Sequence, residues 1–304
     1  MTEVQKITEN HQTANLSSRA MLVRLEITGW RGNRLDRQVT AEVETTKGAS
    51  HDAGRWSTRL VPKSALFDIN RAEAEARQTF WKFTLPWDDA GSRILPSTVY
   101  FEFSEAIRKC QVVFETAVAE FVAAYPGLMA EAEVRFGDLY RAKDFPAPEQ
   151  VARKFGWHVS SMPMPDHADF RVDLGAGETA RVRQAMEADI AATLARSTRD
   201  LWDRLHLAVS RMAEKLADPK GIFRDSLVGN VQEVAAMLTK LNLTGDPELE
   251  RMRAEVEGKL AGRRPAELRD NKRERAETAA AAQAIVAKMA AFMGGKDTTN
   301  GNGN

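Results

Sequence analysis

The pattern of hydrophobic and polar positions predicts long helices in the second half of the chain. Between residues 178 and 216 no proline or glycine occurs, and apolar residues recur every three or four positions. That spacing places them on one face of a helix. The positions on this face are Met186, Ile190, Leu194, Leu201, Leu205, Val209, Met212 and Leu216. A helix of this length would extend about 58 Å, so we expect several other helices to pack along it.

Three shorter helices are predicted after the long one. They cover residues 224–241, 247–260 and 265–292. The last is rich in alanine, which favours helix formation but buries little apolar area. This helix therefore needs a partner surface, either on the same chain or on another copy of it.

The first half of the chain predicts a mixture of short strands and helices. Apolar and polar residues alternate over 21–30, as they do in a half-buried strand. Asp36 is placed to cap a short helix, and a further helix must end before Pro86. Pro163 and Pro165 require an extended segment.

The clearest helix of this half has apolar residues at positions 107, 110, 114, 117 and 121. We expect it to end near Pro126, because proline disfavours the helical conformation of the preceding residue and Gly127 permits an exit. A separate helix is predicted for 128–139.

Together these elements predict a mainly α fold. A mixed, mostly helical N-terminal portion holds a few short strands and is followed by long antiparallel helices. We divide the chain into a mobile N-terminal arm (1–19), a mixed mostly helical domain (20–175), a long-helix domain (176–262), a basic and then alanine-rich C-terminal helix (263–293) and a disordered tail (294–304).

Composition and charge restrict the classes of function. The 304 residues include 43 Lys and Arg against 43 Asp and Glu, which excludes a globally basic nucleic-acid binder but permits a local basic patch. The N-terminus is polar, no run approaches the roughly 20 apolar residues of a membrane helix, and Cys110 is the one cysteine. We therefore expect a cytoplasmic protein with no membrane partner.

The sequence lacks the motifs for phosphate-binding loops and for nucleophilic catalysis. Neither GxxxxGK[ST] nor GxGxxG occurs, and the nearest segment, Gly175-Ala176-Gly177, has no lysine. No GxSxG motif is present, and Cys110 lies on the apolar face of its helix, where cysteine usually acts as a small hydrophobic residue. We assign no catalytic residue and no cofactor.

Two polar loops contain carboxylates with chemical potential. In the first, which covers 84–96, Asp88 and Asp89 could act as acid and base or bind Mg²⁺, and Arg93 could contact an anion. Adjacent residues rarely point the same way, and segments rich in Pro, Gly and Asp form turns. We therefore favour a structural role for this loop.

The second loop contains Asp166, His167 and Asp169, whose oxygen and imidazole groups are of the types that bind metals. An Asp that follows a proline commonly closes a turn through the backbone, and we favour that interpretation. No metal site is assigned, and a metal site would require the two loops to converge.

The strongest electrostatic feature lies between residues 259 and 275, which have an excess of four positive charges. Such a patch could neutralise phosphates, although the segment has no aromatic residue to stack on a base. The interleaved acids also fit a solvated helix with i,i+4 ion pairs, which is the interpretation we favour. The candidate nucleic-acid-binding residues are Arg263, Arg264, Arg269, Lys272, Arg273 and Arg275.

Several segments together resemble a family of phage and prophage proteins with a domain of unknown function. They are TLPWDD and GSRILP within 84–96, FP at 145–146, MPMPD and DFRV within 162–172, and FRDSLVGN at 223–230. The resemblance extends over most of residues 20–292. Members of the family are often encoded near a MoxR-type AAA ATPase or near replication and recombination genes. The resemblance implies a phage context in a bacterial cytoplasm, with an AAA ATPase or DNA as partners. The basic segment makes single-stranded DNA the candidate form of that DNA.

These observations leave three hypotheses. The first is a non-enzymatic, self-associating helical protein that acts with DNA-metabolism or AAA ATPase partners, because reactive motifs are absent and the long amphipathic helices favour a homo-oligomer. The alternative is a single-stranded nucleic-acid-binding or annealing protein that uses the basic C-terminal segment. The second alternative is a metal-dependent enzyme built on the two carboxylate loops.

Overall fold

The computed structural model describes residues 16–166, 172, 174–218 and 221–295. It is mainly helical, with short strands in the N-terminal part and long helices later, which confirms the predicted fold class. The expected arm before residue 16 and the expected tail beyond residue 295 lie outside the described residues.

The elements follow one another along the chain with short connections. The strands are β1 (Ala20–Thr28), β2 (Asn33–Leu35), β3 (Ser57–Arg59), β4 (Leu85–Pro86), β5 (Arg93–Pro96) and β6 (Gly156–Pro163). The α-helices are α1 (Leu16–Arg19), α2 (Arg37–Lys47), α3 (Phe67–Phe83), α4 (Tyr100–Phe136), α5 (Pro148–Ala152), α6 (Ala176–Ala217), α7 (Ser226–Leu241), α8 (Pro247–Val256), α9 (Pro265–Asp270) and α10 (Lys272–Gly295). A single π-helical turn, Glu257–Ala261, follows α8.

The segment 84–96 is a β-hairpin, whereas the sequence predicted a loop without regular structure. β4 and β5 pair antiparallel, with Leu85 opposite Ile94, and β5 continues the pairing onto β1, with Leu22 opposite Ile94. The order of this sheet is β4-β5-β1-β6, and β2 and β3 form a separate two-stranded sheet. β4 and β5 are two and four residues long, which is too short for an alternating pattern to be recognised.

The chain divides into two compact units that alternate along the sequence. The first unit consists of the described parts of 1–24, 82–101 and 161–304, and the second of 25–81 and 102–160. The five-part linear division differs from this arrangement. The reason lies in the hairpin, which precedes α4 in the sequence but packs against α6 within the first unit.

In the first unit, α10 packs along α6. The buried apolar residues of α10 are Ala279, Ala282, Ile285 and Met289. Beyond them the rings of Trp202 and Phe292 stack, with their centroids 5.8 Å apart. Because small side chains let two helices approach closely, the alanine-rich helix finds its partner surface on its own chain.

Residues 265–292 form two helices, whereas the sequence predicted one. Asn271 interrupts them with an extended backbone. Its side-chain oxygen accepts hydrogen bonds from the backbone N–H groups of Arg273 (3.1 Å) and Glu274 (3.2 Å). This is the N-cap of α10, and it shows how an asparagine side chain competes with the helical backbone.

In the second unit, α4 continues through Pro126, where the sequence predicted an end. The proline removes one backbone hydrogen bond and strains the helix, at a cost of about 3 kcal/mol. The buried face nevertheless runs on across it, with Phe114, Phe121 and Tyr125 on one side and Ala132 on the other. Packing of this continuous face against the core stabilises the helix on both sides of the proline.

One helix of the described chain, within Ser97–Leu139, is long and apolar enough to cross a membrane by length and composition alone. The sequence did not reveal it because a helix that ends at Pro126 is too short. Core helices of soluble proteins meet the same criterion, but only 22% of the apolar stretch of this helix is buried. α4 therefore has an apolar surface that the described residues leave largely uncovered.

Tyr125 is a buried residue whose hydroxyl group lacks a partner. The side chain is fully buried, its ring meets that of Trp30 edge-on at 5.7 Å, and its hydroxyl oxygen makes no hydrogen bond. Burial raises the pKa of the phenol to about 12, from its ordinary value of 10. The unfolded phenol therefore ionises first as the pH rises.

We predict that Tyr125→Phe raises the free energy of unfolding by about 0.5–1 kcal/mol, because it removes an unpaired buried polar group. The wild-type protein should also lose stability between pH 10 and about 12, where only the unfolded phenol is ionised, and the variant should lack this loss. Urea unfolding at neutral and alkaline pH measures both effects. Destabilisation by the substitution would mean that the hydroxyl group has a partner.

Candidate functional site

The predicted nucleic-acid-binding residues lie near the end of α6 and the start of α10, and Arg275 is buried among them, with 8% of its surface exposed. Its guanidinium donates hydrogen bonds to the carbonyl oxygens of Lys215 (3.1 Å), Leu216 (3.2 Å), Asp218 and Gly221 (2.8 Å). The last carbonyls of a helix lack helical partners and attract a cation. Arg275 thus completes the end of α6 through Nε and Nη2, and these donors are not available to a phosphate.

Four of the other five candidates form ion pairs. The pairs are Arg263–Glu274 (3.1 Å), Arg264–Glu267 (3.6 Å), Arg273–Glu277 (2.8 Å) and Arg269–Asp225. Lys272 is exposed and has no ion-pair partner among the described residues. Two of the pairing carboxylates, those of Asp225 and Glu277, lie outside the window 259–275. The apparent excess of positive charge in that window is therefore largely compensated in space.

A different group of cations lies where α6 leads into α7, and the sequence did not single it out. Arg211 and Lys215 are exposed on the last turns of α6, and Arg224 lies in the connection before α7. The three line an open pocket of about 430 Å³ together with Ile222. None of the three cations has a hydrogen-bond or ion-pair partner within the described chain, and no described carboxylate lines the pocket. They escaped notice because the chain reverses between them, so they form no run of charge.

The two aspartates of the hairpin are exposed at its turn. The Asp88 carboxylate accepts a hydrogen bond from the backbone N–H of Ser92 at 2.9 Å and so closes the turn. Asp89 is exposed beside it. This geometry supports the structural role that the sequence favoured for the loop.

Arg93 points into the first unit. Its guanidinium donates to the hydroxyl oxygen of Thr84 at 2.7 Å and to the Thr84 carbonyl oxygen at 3.1 Å. Burial, and to a smaller extent repulsion from Arg204, lower the pKa of Arg93 to about 10, although attraction to Asp200 opposes the shift. Arg204 of α6 also donates to the Thr84 carbonyl oxygen, at 2.7 Å. Arg93 thus links the two ends of the hairpin segment, and Arg204 fastens that segment to α6.

The metal hypothesis finds no support in the part of the chain that the structure describes. There, no group of three His, Cys, Asp or Glu side chains is placed to hold a metal ion. Of the second predicted loop only Asp166 is described, and His167 and Asp169 lie outside the described residues. Cys110 is half-buried, and its Sγ lies 3.6 Å from the hydroxyl oxygen of Thr79.

The uncovered surface of α4 is an apolar stripe along one side of the helix. Val112 and Val134 are 62% and 88% exposed, and Ala119, Ala123 and Ala130 between them are exposed too. Spacings of seven and four residues place all five on the same side of a helix. We call these five residues the α4 stripe.

A groove runs beside the α4 stripe. Its volume is about 520 Å³, and its walls include Val118 and Val122 of α4 and the aromatic side chains of Phe155 and Trp157. Glu115 is the one charged residue among the described residues that line it. The stripe and the groove together form a continuous apolar surface on the second unit.

No protein-family model, curated protein or solved structure matches this chain. Its function is therefore inferred from its own residues, and the resemblance to phage proteins stays a prediction.

We predict that Arg275→Ala lowers the free energy of unfolding by about 2–3 kcal/mol, because the last carbonyls of α6 lose a charged donor. Arg275→Lys should show an intermediate loss, since one ammonium group cannot reach all of these carbonyl oxygens. Urea unfolding monitored by circular dichroism measures the effect.

Arg273→Ala is the matched control, because Arg273 lies two residues away on the same helix, is exposed and pairs only with Glu277. Its removal should leave the unfolding free energy almost unchanged. Equal effects of the two substitutions would show that the buried hydrogen bonds of Arg275 do not stabilise α6.

Proposed function

We propose that this protein is a non-enzymatic, self-associating helical protein, and that two copies join through the α4 stripe. The observation that carries the proposal is the exposure of the α4 stripe, which lies on a helix whose most apolar stretch of 18 residues is only 22% buried when all its sides are counted. Exposed apolar surface of this extent marks interaction sites in soluble proteins, because water is released when a partner covers it.

The residues of the α4 stripe suit a close contact between two helices. Alanine at three of its five positions lets the backbones approach, and the valines at both ends supply larger apolar contacts. The five residues follow the line of a coiled-coil seam, whose two intermediate positions are occupied by the exposed Thr116 and Pro126. A second α4 helix would therefore match the stripe along its whole length, which is about 33 Å.

The charges at the ends of the stripe favour an antiparallel second copy. Arg108 is exposed just before Val112, and Glu131 and Glu133 are exposed near Val134. No ion pair engages any of these three charges within the described chain. Antiparallel helices bring Arg108 of one copy next to the two glutamates of the other, whereas parallel helices would place like charges together.

The groove beside the stripe adds to the surface that a second copy can cover. Val118 and Val122 lie on the same helix as the stripe, and Phe155 and Trp157 form the opposite wall. Aromatic side chains in a concave apolar surface are typical anchors of protein interfaces. The contact would thus exceed the area of two helices that touch along a single line.

Partners of the kind implied by the resemblance, an AAA ATPase or DNA-metabolism proteins, belong to the same proposal. Self-association would present two copies of each remaining surface to such a partner and would raise its apparent affinity.

The proposal predicts a dimer in solution that Ala123→Glu combined with Ala130→Glu dissociates. The two substitutions place four like charges in the antiparallel seam, and the dimer should weaken at least tenfold, since each tenfold step requires about 1.4 kcal/mol. Sedimentation velocity over about 1–50 µM measures the change.

Ala74→Glu is the control, because Ala74 is an exposed alanine on α3 and is not part of the stripe. This variant should remain dimeric. A wild-type monomer at the highest concentration, or a dimer that survives both stripe substitutions, would contradict the proposal. Co-sedimentation of the wild-type monomer with phosphatidylcholine vesicles would instead assign the stripe to a membrane.

A further inference from the structure

We propose that the pocket lined by Arg211, Lys215 and Arg224 binds the phosphate backbone of a nucleic-acid single strand. The pocket lies in the first unit and shares no residue with the α4 stripe, so the inference does not depend on self-association.

The first argument concerns charge. All three cations are exposed, and none is engaged by a carboxylate among the described residues. Asp225, which follows Arg224 in the sequence, is already bound by Arg269. A free cation can exchange its counterions for a phosphate, and the release of counterions supplies much of the affinity of proteins for nucleic acids. The paired arginines of the window 259–275 would first have to give up their carboxylates.

The second argument concerns the arrangement of the cations. Arg211 and Lys215 are four residues apart on α6, so their Cβ atoms are about 6 Å apart. Arg224 lines the same pocket from the connection before α7. The three charges therefore border one concave space of about 430 Å³ and are not spread over a flat face. A nucleic-acid strand, which carries a negative charge on every phosphate, can contact all three cations at once.

The third argument concerns Ile222, whose side chain is 94% exposed at the edge of the pocket. A single strand leaves the faces of its bases exposed, so Ile222 can make an apolar contact with a base in place of the aromatic stacking that single-strand binders usually provide, whereas a duplex hides the base faces. An acidic peptide would meet the three cations only where its carboxylates happen to fall. Ile222 and the regular charge of a strand together favour a single strand over a duplex or a peptide.

The test is a titration of the full-length protein with a fluorescein-labelled oligothymidylate of about 30 nucleotides, followed by anisotropy at about 50 and 200 mM salt. The variant that combines Arg211→Glu, Lys215→Glu and Arg224→Glu should bind at least tenfold more weakly than the wild type. Since each phosphate contact contributes about 0.7 to the slope of log Kobs against log salt, the slope should fall by about 2.

The matched control combines Arg263→Glu, Arg264→Glu and Arg273→Glu. It changes the net charge by the same amount, but at cations that pair with carboxylates. It should retain most of the affinity and the full salt slope. Circular dichroism of both variants shows whether they are folded, and Ile222→Ser, at an exposed position, should weaken binding a few-fold without altering the slope.

Four results would overturn the proposal. The first would be that the oligothymidylate fails to bind the wild-type protein at the lower salt concentration. The second would be an equal loss of affinity in both triple variants, which would indicate attraction by the overall charge of the protein and not by the pocket. The third would be tighter binding of a duplex of the same length than of the single strand. The fourth would be displacement of the strand by polyglutamate at equal charge concentration, which would assign the pocket to an acidic protein.

Discussion

The first unit depends on one charged interaction, the contact of the Arg275 guanidinium with the last carbonyls of α6. A helix of 42 residues ends there in a connection that must reverse the chain, and backbone oxygens at such a point have no partner of their own. Arg275 supplies the donors from α10, which is the helix that packs along α6. One side chain thus stabilises the end of α6, the connection to α7 and the alignment of α10. The open pocket lies beside this connection, whose backbone carbonyl oxygens are held by the hydrogen bonds of Arg275.

The sequence was sufficient to predict helices whose apolar residues recur without interruption. It was not sufficient where a single residue, such as a proline or an asparagine, departs from the local preference for or against a helix. The apolar face from Met186 to Leu216 predicted the length of α6 to within about two residues at each end, and Asp36 was correctly predicted to cap α2. The exceptions were Pro126, which α4 tolerates because its buried face continues on both sides, and Asn271, which ends a helix by capping the next. In both cases tertiary packing or a side-chain hydrogen bond outweighed the local preference.

The candidate sites show the same limit, because the sequence reveals charges that are neighbours along the chain but not charges that only the fold brings together. A window of sequence counts charges by position, so the segment 259–275 looked basic although carboxylates before and after it pair with its arginines. The free cations Arg211, Lys215 and Arg224 were invisible because a chain reversal brings them together. The α4 stripe was hidden for a related reason, since a helix assumed to stop at Pro126 never presents Val112 and Val134 on one side. The alanine-rich helix, whose partner the sequence left open between the same chain and another copy, packs along α6.

The hydrogen bonds that α6 donates to the hairpin of β4 and β5 end on backbone carbonyl oxygens. Ser197 donates to the carbonyl oxygen of Pro86, Arg196 to that of Trp87 and Arg204 to that of Thr84. A carbonyl oxygen is the same whichever amino acid carries it. The exposed turn residues of the hairpin can therefore change over generations while these hydrogen bonds persist. Leu85, Ile94 and Leu95 are buried in the core, and the serine and arginines of the helix supply the donors, so neither set can be exchanged so freely.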